Sequence, residues 1–292
     1  MFETIVGNEK NKKTLEEIIN NELVSHSYLF VGPGGVGKKE FAKEFAKKLL
    51  CEKDTTGKEA NQFDTLNHPD YKLIEPDGNY VKIEQIRELV QKIHEKPIVS
   101  NKKVYIINDA EKMTTEASNA LLKTLEEPPE YVTLILICTS ESMLLNTIRS
   151  RCQKIVFQKL TKEEIERYFG QSFSDKRINI FDGSIKKAIL TKDKTEIFEG
   201  LEEIFNGNTS LINFFEKSKS IYNNKEEIYD ILEYIEYIFL EKLKKNKEET
   251  KVEKILNCIE QIEKTKRYLK SNANFEMSID NLLFEIYKNN KL

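Results

Sequence analysis

Histidine is scarce in this sequence of 292 residues, with three in all, His26, His68 and His94. Each stands apart from the others, so a histidine-based catalytic or metal centre is not expected. Cysteine is nearly as rare: Cys51, Cys138, Cys152 and Cys258 show no paired spacing, which excludes a disulfide framework and a C-x-x-C metal knuckle and suits a reducing compartment. No proline follows Pro129. Long apolar runs are also missing, since the longest, Val132–Cys138, is far short of a bilayer span, and the opening MFETIVGNEKNKK lacks the apolar core of an export signal. A cytoplasmic protein with no membrane contact is expected. A formal net charge of -3 and a pI near 5.9 argue against a dedicated nucleic-acid binder, leaving only local contacts with DNA open.

What is present is a balance of 39% hydrophobic and 33% charged residues, typical of a helix-rich chain with sizeable cores and about two domains or three small ones. The chain is organised around YLFVGPGGVGKKEFAKEF, residues 28–45. Tyr28 to Val31 reads as a buried parallel strand. Gly32, Pro33, Gly34, Gly35, Val36, Gly37, Lys38 and Lys39 then match G-x-x-x-x-G-K, with Lys39 where the pattern closes on serine or threonine. Glycines let backbone N–H groups turn inward around phosphates, and a helix opening at Gly37 aims its positive end at the same place. Lys38 would reach the terminal phosphates. A lysine at position 39 offers magnesium no ligand and adds a competing positive charge. A ligand-free glycine turn is the alternative for this stretch.

Along the rest of the chain, residues 8–22 carry Leu15, Ile18, Ile19 and Leu23 at helical spacing. Residues 51–70 lose periodicity and read as a surface excursion. A strand is expected at 71–74, a helix at 81–94 closed by Pro97, and a strand at 103–107. A helix at 115–127 is stopped by Pro128 and Pro129, and the run 132–138 is the central strand. A short helix over 142–148 and a strand at 155–157 complete an α/β, doubly wound, mainly parallel sheet with helices on both faces. Thr161 and Glu164 form a capping box that starts the next helix. From about residue 195 onward only helical patterns remain, with Tyr229, Tyr234, Tyr237, Phe239 and Tyr268 on packing stripes and a solvated lysine-rich helix end at 241–247.

Strand 103–107 delivers Asn108 and Asp109 to the end of a parallel sheet where ligands bind. A hydrolytic site needs there an acid for magnesium and a second to polarise water. Asn108 is an amide and Asp109 is shorter than glutamate, so together with Lys39 they weaken one hydrolytic site three times over.

The segments SHSYLFVGPGGVGKKEFA from residue 25, KVYIINDAEKMTTEASNALLKTLEEPPE from 103 and NTIRSRCQKIVF from 146 resemble the delta-prime members of the bacterial DNA polymerase III clamp-loader family, which are AAA+ proteins. They cover most of the first 160 residues. The resemblance implies an AAA+ P-loop domain over 1–158, a helical lid over 159–205 and an all-α collar over 206–292, the last echoed by LKSNANFEMSIDNLLFEI from residue 269. It implies an arginine supplied in trans, carried onto Arg151 of the SRC motif, that completes the ATP site of a neighbouring tau or gamma subunit. An ion pair within its own domain is the alternative for Arg151, and Arg149 is read as structural. GSIKKAI from residue 183 resembles the lid segment holding a phosphate-sensing arginine, with Lys187 in that place. The implied partners are the tau/gamma ATPase subunits, the delta subunit, and, through the assembly, the beta sliding clamp and primed DNA. ATP or ADP held without hydrolysis stays open, and no cofactor is required. Many family members carry four zinc-binding cysteines in the excursion after the first helix; only Cys51 remains, so no zinc is expected. The other reading left open is an active AAA+ ATPase of the tau/gamma type.

Overall fold

In a computed structural model the described residues are 2–51, 57–65, 67–173, 181–193, 195–206, 210–271 and 273–290. Their contacts divide the chain into two compact units, Met1–Lys186 and Lys187–Leu292.

The first unit is built on a five-stranded parallel sheet in the order β2-β3-β4-β1-β5. The strands are β1 (Ser27–Val31), β2 (Tyr71–Ile74), β3 (Lys103–Ile107), β4 (Val132–Cys138) and β5 (Gln153–Val156). β4 is central, as its β-branched apolar run predicts. Every residue of β1, β3 and β4 is buried, because helices cover both faces, which is why these strands read as continuous apolar runs rather than alternations. One face packs Tyr28, Phe30, Ile106, Ile135 and Phe157 against Phe41 and Phe45 of α2 (Lys38–Leu50). The other packs Leu29, Tyr105, Leu134 and Leu136 against α4 (Ile83–Ile93) and α5 (Thr115–Glu126). β5 is an edge strand and exposes Gln153, Lys154 and Val156; the lysine discourages pairing with another chain.

Several expectations shift. α1 (Glu9–Asn20) buries Leu15 and Ile18, but Leu23 lies past a left-handed turn at Glu22 and is 69% exposed. Residues 52–56 of the expected surface excursion lie outside the described residues, yet the remainder is not featureless: α3 (Lys58–Asp64) stacks Phe63 on Tyr71 at 4.4 Å. Residues 141–149 form a 3-10 turn (Glu141–Met143) and then α6 (Asn146–Arg149) instead of one helix, because Leu144 and Ile148 must both turn into the core. β5 starts two residues early, and Phe157 still donates its N–H to Val31 at 2.7 Å. The capping box at α7 (Lys162–Phe169) is formed in both directions, Glu164 N–H to Thr161 Oγ1 at 3.3 Å and Thr161 N–H to Glu164 Oε2 at 2.8 Å.

At the amino end of the sheet, the fully buried Asp70 carboxylate accepts N–H bonds from Ile98 (2.8 Å), Val99 (2.8 Å) and Ser100 (2.9 Å). Ser100 Oγ in turn donates to Leu50 C=O at 2.9 Å. Three donors on one carboxylate fix the turn between α4 and β3. Asp70→Ala is expected to cost the first unit about 2 kcal/mol, since three donors lose a charged acceptor. Thermal unfolding should then shift down by roughly 4–8 °C; a shift under about 1 °C would show that water replaces the carboxylate without loss.

The second unit is helical: the end of α8 (Ile185–Asp193), then α9 (Thr195–Asn206), α10 (Leu211–Tyr222), α11 (Ile228–Lys245), α12 (Glu249–Lys270) and α13 (Phe275–Asn290). Phe205, Phe214, Ile231, Ile235, Phe239, Ile262 and Leu283 are among its buried residues. Of the expected packing aromatics, Tyr234 and Phe239 are buried, while Tyr229 and Tyr268 are exposed. The 241–247 segment is not solvated throughout. Lys242 donates Nζ to Phe205 C=O and lies over the Phe239 ring at 5.2 Å, and burial lowers its pKa. No helix among the described residues is long and apolar enough to cross a membrane.

Candidate nucleotide loop and the Arg151 face

The loop between β1 and α2 is shaped by left-handed glycines. Gly35 (φ 74°) and Gly37 (φ 90°) take conformations that side-chain-bearing residues rarely adopt, and Gly37 sits at the N-terminus of α2. Gly35 has a second reason to be glycine: its C=O accepts the Ile185 N–H at 2.9 Å, and a Cβ there would fall 2.0 Å from Ser184 Oγ. The start of α8 therefore lies on the loop. Gly32 donates its N–H to Cys138 C=O at 3.3 Å, and Gly34 has open space around it.

Lys38 is buried and folds back over the loop, donating Nζ to Gly32 C=O and Pro33 C=O at 2.6 Å each. Burial lowers its pKa, opposed by the nearby carboxylates of Glu111 and Asp109. Lys39, at the position of the missing hydroxyl, pairs with Glu75 just past β2 at 2.7 Å. Asn108 continues β3 with its N–H on Ile74 C=O at 2.9 Å. Asp109 takes a left-handed turn (φ 49°), and its carboxylate pairs with Lys112 at 2.9 Å. The loop thus combines left-handed glycines at the N-terminus of a helix with a lysine ammonium, groups whose chemistry suits phosphate. For a magnesium ion the residues fit poorly: an ammonium stands where the hydroxyl would be, an amide where the first carboxylate would be, and the second carboxylate is engaged by a lysine.

On another face of the same unit, Arg151 follows α6. Its Nη1 donates to Thr147 C=O at 2.8 Å and its Nη2 to Glu126 Oε1 at 2.7 Å, with about a third of the side chain exposed (32%). The ion pair within its own domain, one of the two readings of this arginine, is present, at the surface and open to solvent. Arg149 has its Nε buried without a partner among the described residues. Burial pushes the pKa of the Cys152 thiol, between Arg151 and β5, up to about 12.

Residues 7–161 match the family model described as DNA polymerase III, delta subunit. The chain belongs to the delta-prime clamp-loader family of DNA polymerase III subunits. DNA polymerase III subunit delta' of Bacillus subtilis is 39% identical over 159 residues, which is 53% of this chain and 48% of that protein. Subunit delta' of Pseudomonas aeruginosa is 37% identical over 136 residues, 44% of this chain and 42% of that protein. Subunit tau of B. subtilis is 35% identical over 190 residues, 63% of this chain and 34% of that protein. The chain thus spans about half or less of the length of these relatives. Among solved structures, a DNA polymerase III gamma subunit-related protein of Thermotoga maritima shares the fold, with a TM-score of 0.57 at 19% identity, over 95% of this chain and 99% of that one. The fold shared with that protein is a five-stranded parallel sheet with helices, followed by helical regions.

Within this delta-prime relative, the loop glycines, Lys38, Lys39, Asn108 and Asp109 gather at the carboxyl ends of β1, β2 and β3. Lys187 instead pairs with Glu233 of the second unit at 2.6 Å. The lysine whose side chain begins against the loop is its neighbour: a Cβ on Gly35 would lie 2.9 Å from Lys186 Cβ. Adjacent residues of a helix are rotated by about 100° about its axis, so a shift of one position in a lysine pair changes which side is presented. Residues outside the motif pattern also belong to the site. Glu111 accepts the Thr139 N–H (2.9 Å) and hydroxyl (2.5 Å), and its other oxygen is buried without a partner among the described residues. Thr139 lies one residue past the carboxyl end of β4, the position at which parallel sheets present ligand-binding groups. That signal was available in the sequence. Glu75 follows β2 in the same way.

Proposed function

We propose that this chain is a largely non-hydrolysing AAA+ subunit of a sliding-clamp loader, acting on a neighbour's ATP through Arg151. One observation carries the reading: the magnesium-side positions are filled against catalysis, with Lys39 held by Glu75, Asn108 in place of an acid and Asp109 turned to Lys112. In this reading residues 1–158 are the P-loop domain, 159–205 the lid and 206–292 the collar that joins the ring. Its partners are tau/gamma ATPase subunits and a delta subunit, with the beta clamp and primed DNA engaged through the assembly, in the cytoplasm. No cofactor is required, any ATP or ADP held in the loop is not turned over, no zinc is held, and polymerisation belongs to other subunits of the holoenzyme.

The similarity to tau supports a second reading, an active ATPase, with Glu111 as the carboxylate nearest Lys38 in effect. The two part on one variant. In the assembly reconstituted with clamp and primed DNA, Lys38→Ala is expected to change ATP turnover by less than about twofold, because this loop does no chemistry. Loss of turnover would make the chain a motor in its own right.

A further inference from the structure

Glu126 is the last residue of α5, and Glu127 and two prolines follow it. A carboxylate is badly placed there, because the helix end already carries partial negative charge from its unpaired carbonyls. Nothing in the packing asks for an acid: the side chain is about half exposed, and the buried residues of α5 are Ala117, Ser118, Leu121, Thr124 and Leu125. Among the described residues it pairs with Arg151, at 2.7 Å.

The second anchor of the arginine comes from a different element. Thr147 C=O in α6 takes Nη1 at 2.8 Å, with Ser150 Oγ at 3.3 Å from the same nitrogen. A planar fork held at both terminal nitrogens by two separate helices keeps few rotamers, whereas a free arginine samples many. The group is fixed while still a third exposed (32%), so its remaining N–H groups stay available to a partner across the surface. A carboxylate used only for stability at such exposure contributes little.

We infer that Glu126 is a positioning residue for Arg151, holding the guanidinium in the extended, oriented state in which it meets a neighbouring subunit's phosphates. The inference rests on the trans role proposed above for Arg151. A fixed arginine enters the neighbour's site with its ordering already done, so the benefit lies in the catalytic step rather than in ATP binding.

The test uses the full assembly with clamp and primed DNA and measures ATP turnover for Glu126→Ala, Glu126→Gln, Arg151→Ala and the double variant Glu126→Ala/Arg151→Ala. Glu126→Ala is expected to lower kcat by about three- to tenfold with KM unchanged. Glu126→Gln keeps an acceptor oxygen of the same reach, and should return kcat to within about twofold of the parent. In the Arg151→Ala background, removing Glu126 should change nothing further, which a general folding defect would not reproduce. If Arg151→Ala slows turnover but Glu126→Ala does not, the positioning role falls and the trans arginine stands. If Glu126→Ala slows turnover equally with and without Arg151, the carboxylate acts through the fold and the inference is likewise overturned. A silent Arg151→Ala removes the trans reading, and this inference with it.

Discussion

On the trans role proposed for Arg151, Arg151→Ala is expected to leave the reconstituted clamp-loading assembly intact and to remove the share of rapid ATP hydrolysis that belongs to the neighbouring site. The variant loses an exposed ion pair to Glu126 and one bond to Thr147 C=O, which costs the fold little. What it takes from the neighbour is larger. A guanidinium entering from outside neutralises charge on the phosphates as the transition state forms, and such arginines contribute about 10³-fold or more in related enzymes. Other sites of the ring keep their own rates, so bulk turnover understates the effect. Quench-flow measurement of the first turnover resolves it: the amplitude of the fast phase should fall by one site's worth, the residual site running about 10³-fold slower. Arg151→Lys should not restore it, because a point charge lacks the planar fork. An unchanged fast phase would leave Arg151 as a surface ion pair and nothing more.

Gly32→Ala is expected to cost the first unit about 3–4 kcal/mol, although the position belongs to a phosphate-binding pattern. A methyl group at residue 32 would stand 2.4 Å from the Phe157 C=O and 2.9 Å from its Cβ. Neither can give way. Phe157 is tied to Val31 by its N–H at 2.7 Å, and its ring packs on Phe30 at 5.2 Å and on Phe41 at 5.0 Å. Relief has to come from moving β5 away from β1 or from distorting the loop. Thermal unfolding of the first unit should drop by roughly 6–16 °C. Gly34→Ala is the matched control, since nothing lies within 4 Å of its added methyl, and its stability should stay within about 0.5 kcal/mol of the parent. Equal stability of the two variants would mean that β5 yields freely, contrary to its packing.

Much of the fold is legible in the residues because the sheet is covered on both sides. Apolar runs at 28–31, 104–107 and 132–138 have few other uses in a chain of this composition, and their alternation with helices points to a parallel sheet. The loop glycines and Lys38 are equally legible, since backbone geometry and phosphate chemistry both demand them. What escapes the sequence is the pairing of charges. Nothing in the spacing of Lys39 and Glu75, 36 positions apart, or of Glu126 and Arg151, 25 apart, says that they meet. Such pairs are made by strand ends and helix ends brought together by the sheet order. Asp70 shows the same limit: it reads as part of a polar surface stretch, yet it is fully buried, because the turn at 98–100 closes over it. The position of Lys187 is missed for a different reason. Two adjacent lysines are indistinguishable by type, and only the helix start at Ile185 decides which lies against Gly35.

The charges around the nucleotide loop are answered from within: Lys38 by two carbonyls of the loop itself, Lys39 by Glu75, Asp109 by Lys112. In the proposed ring, whose other members would bind, spend and discard their fuel in succession, such a loop would keep one shape through the whole round. On the proposed reading it gives the assembly a fixed reference, a stator against which the moving subunits push, and one whose posture is independent of how much ATP the cell has to offer.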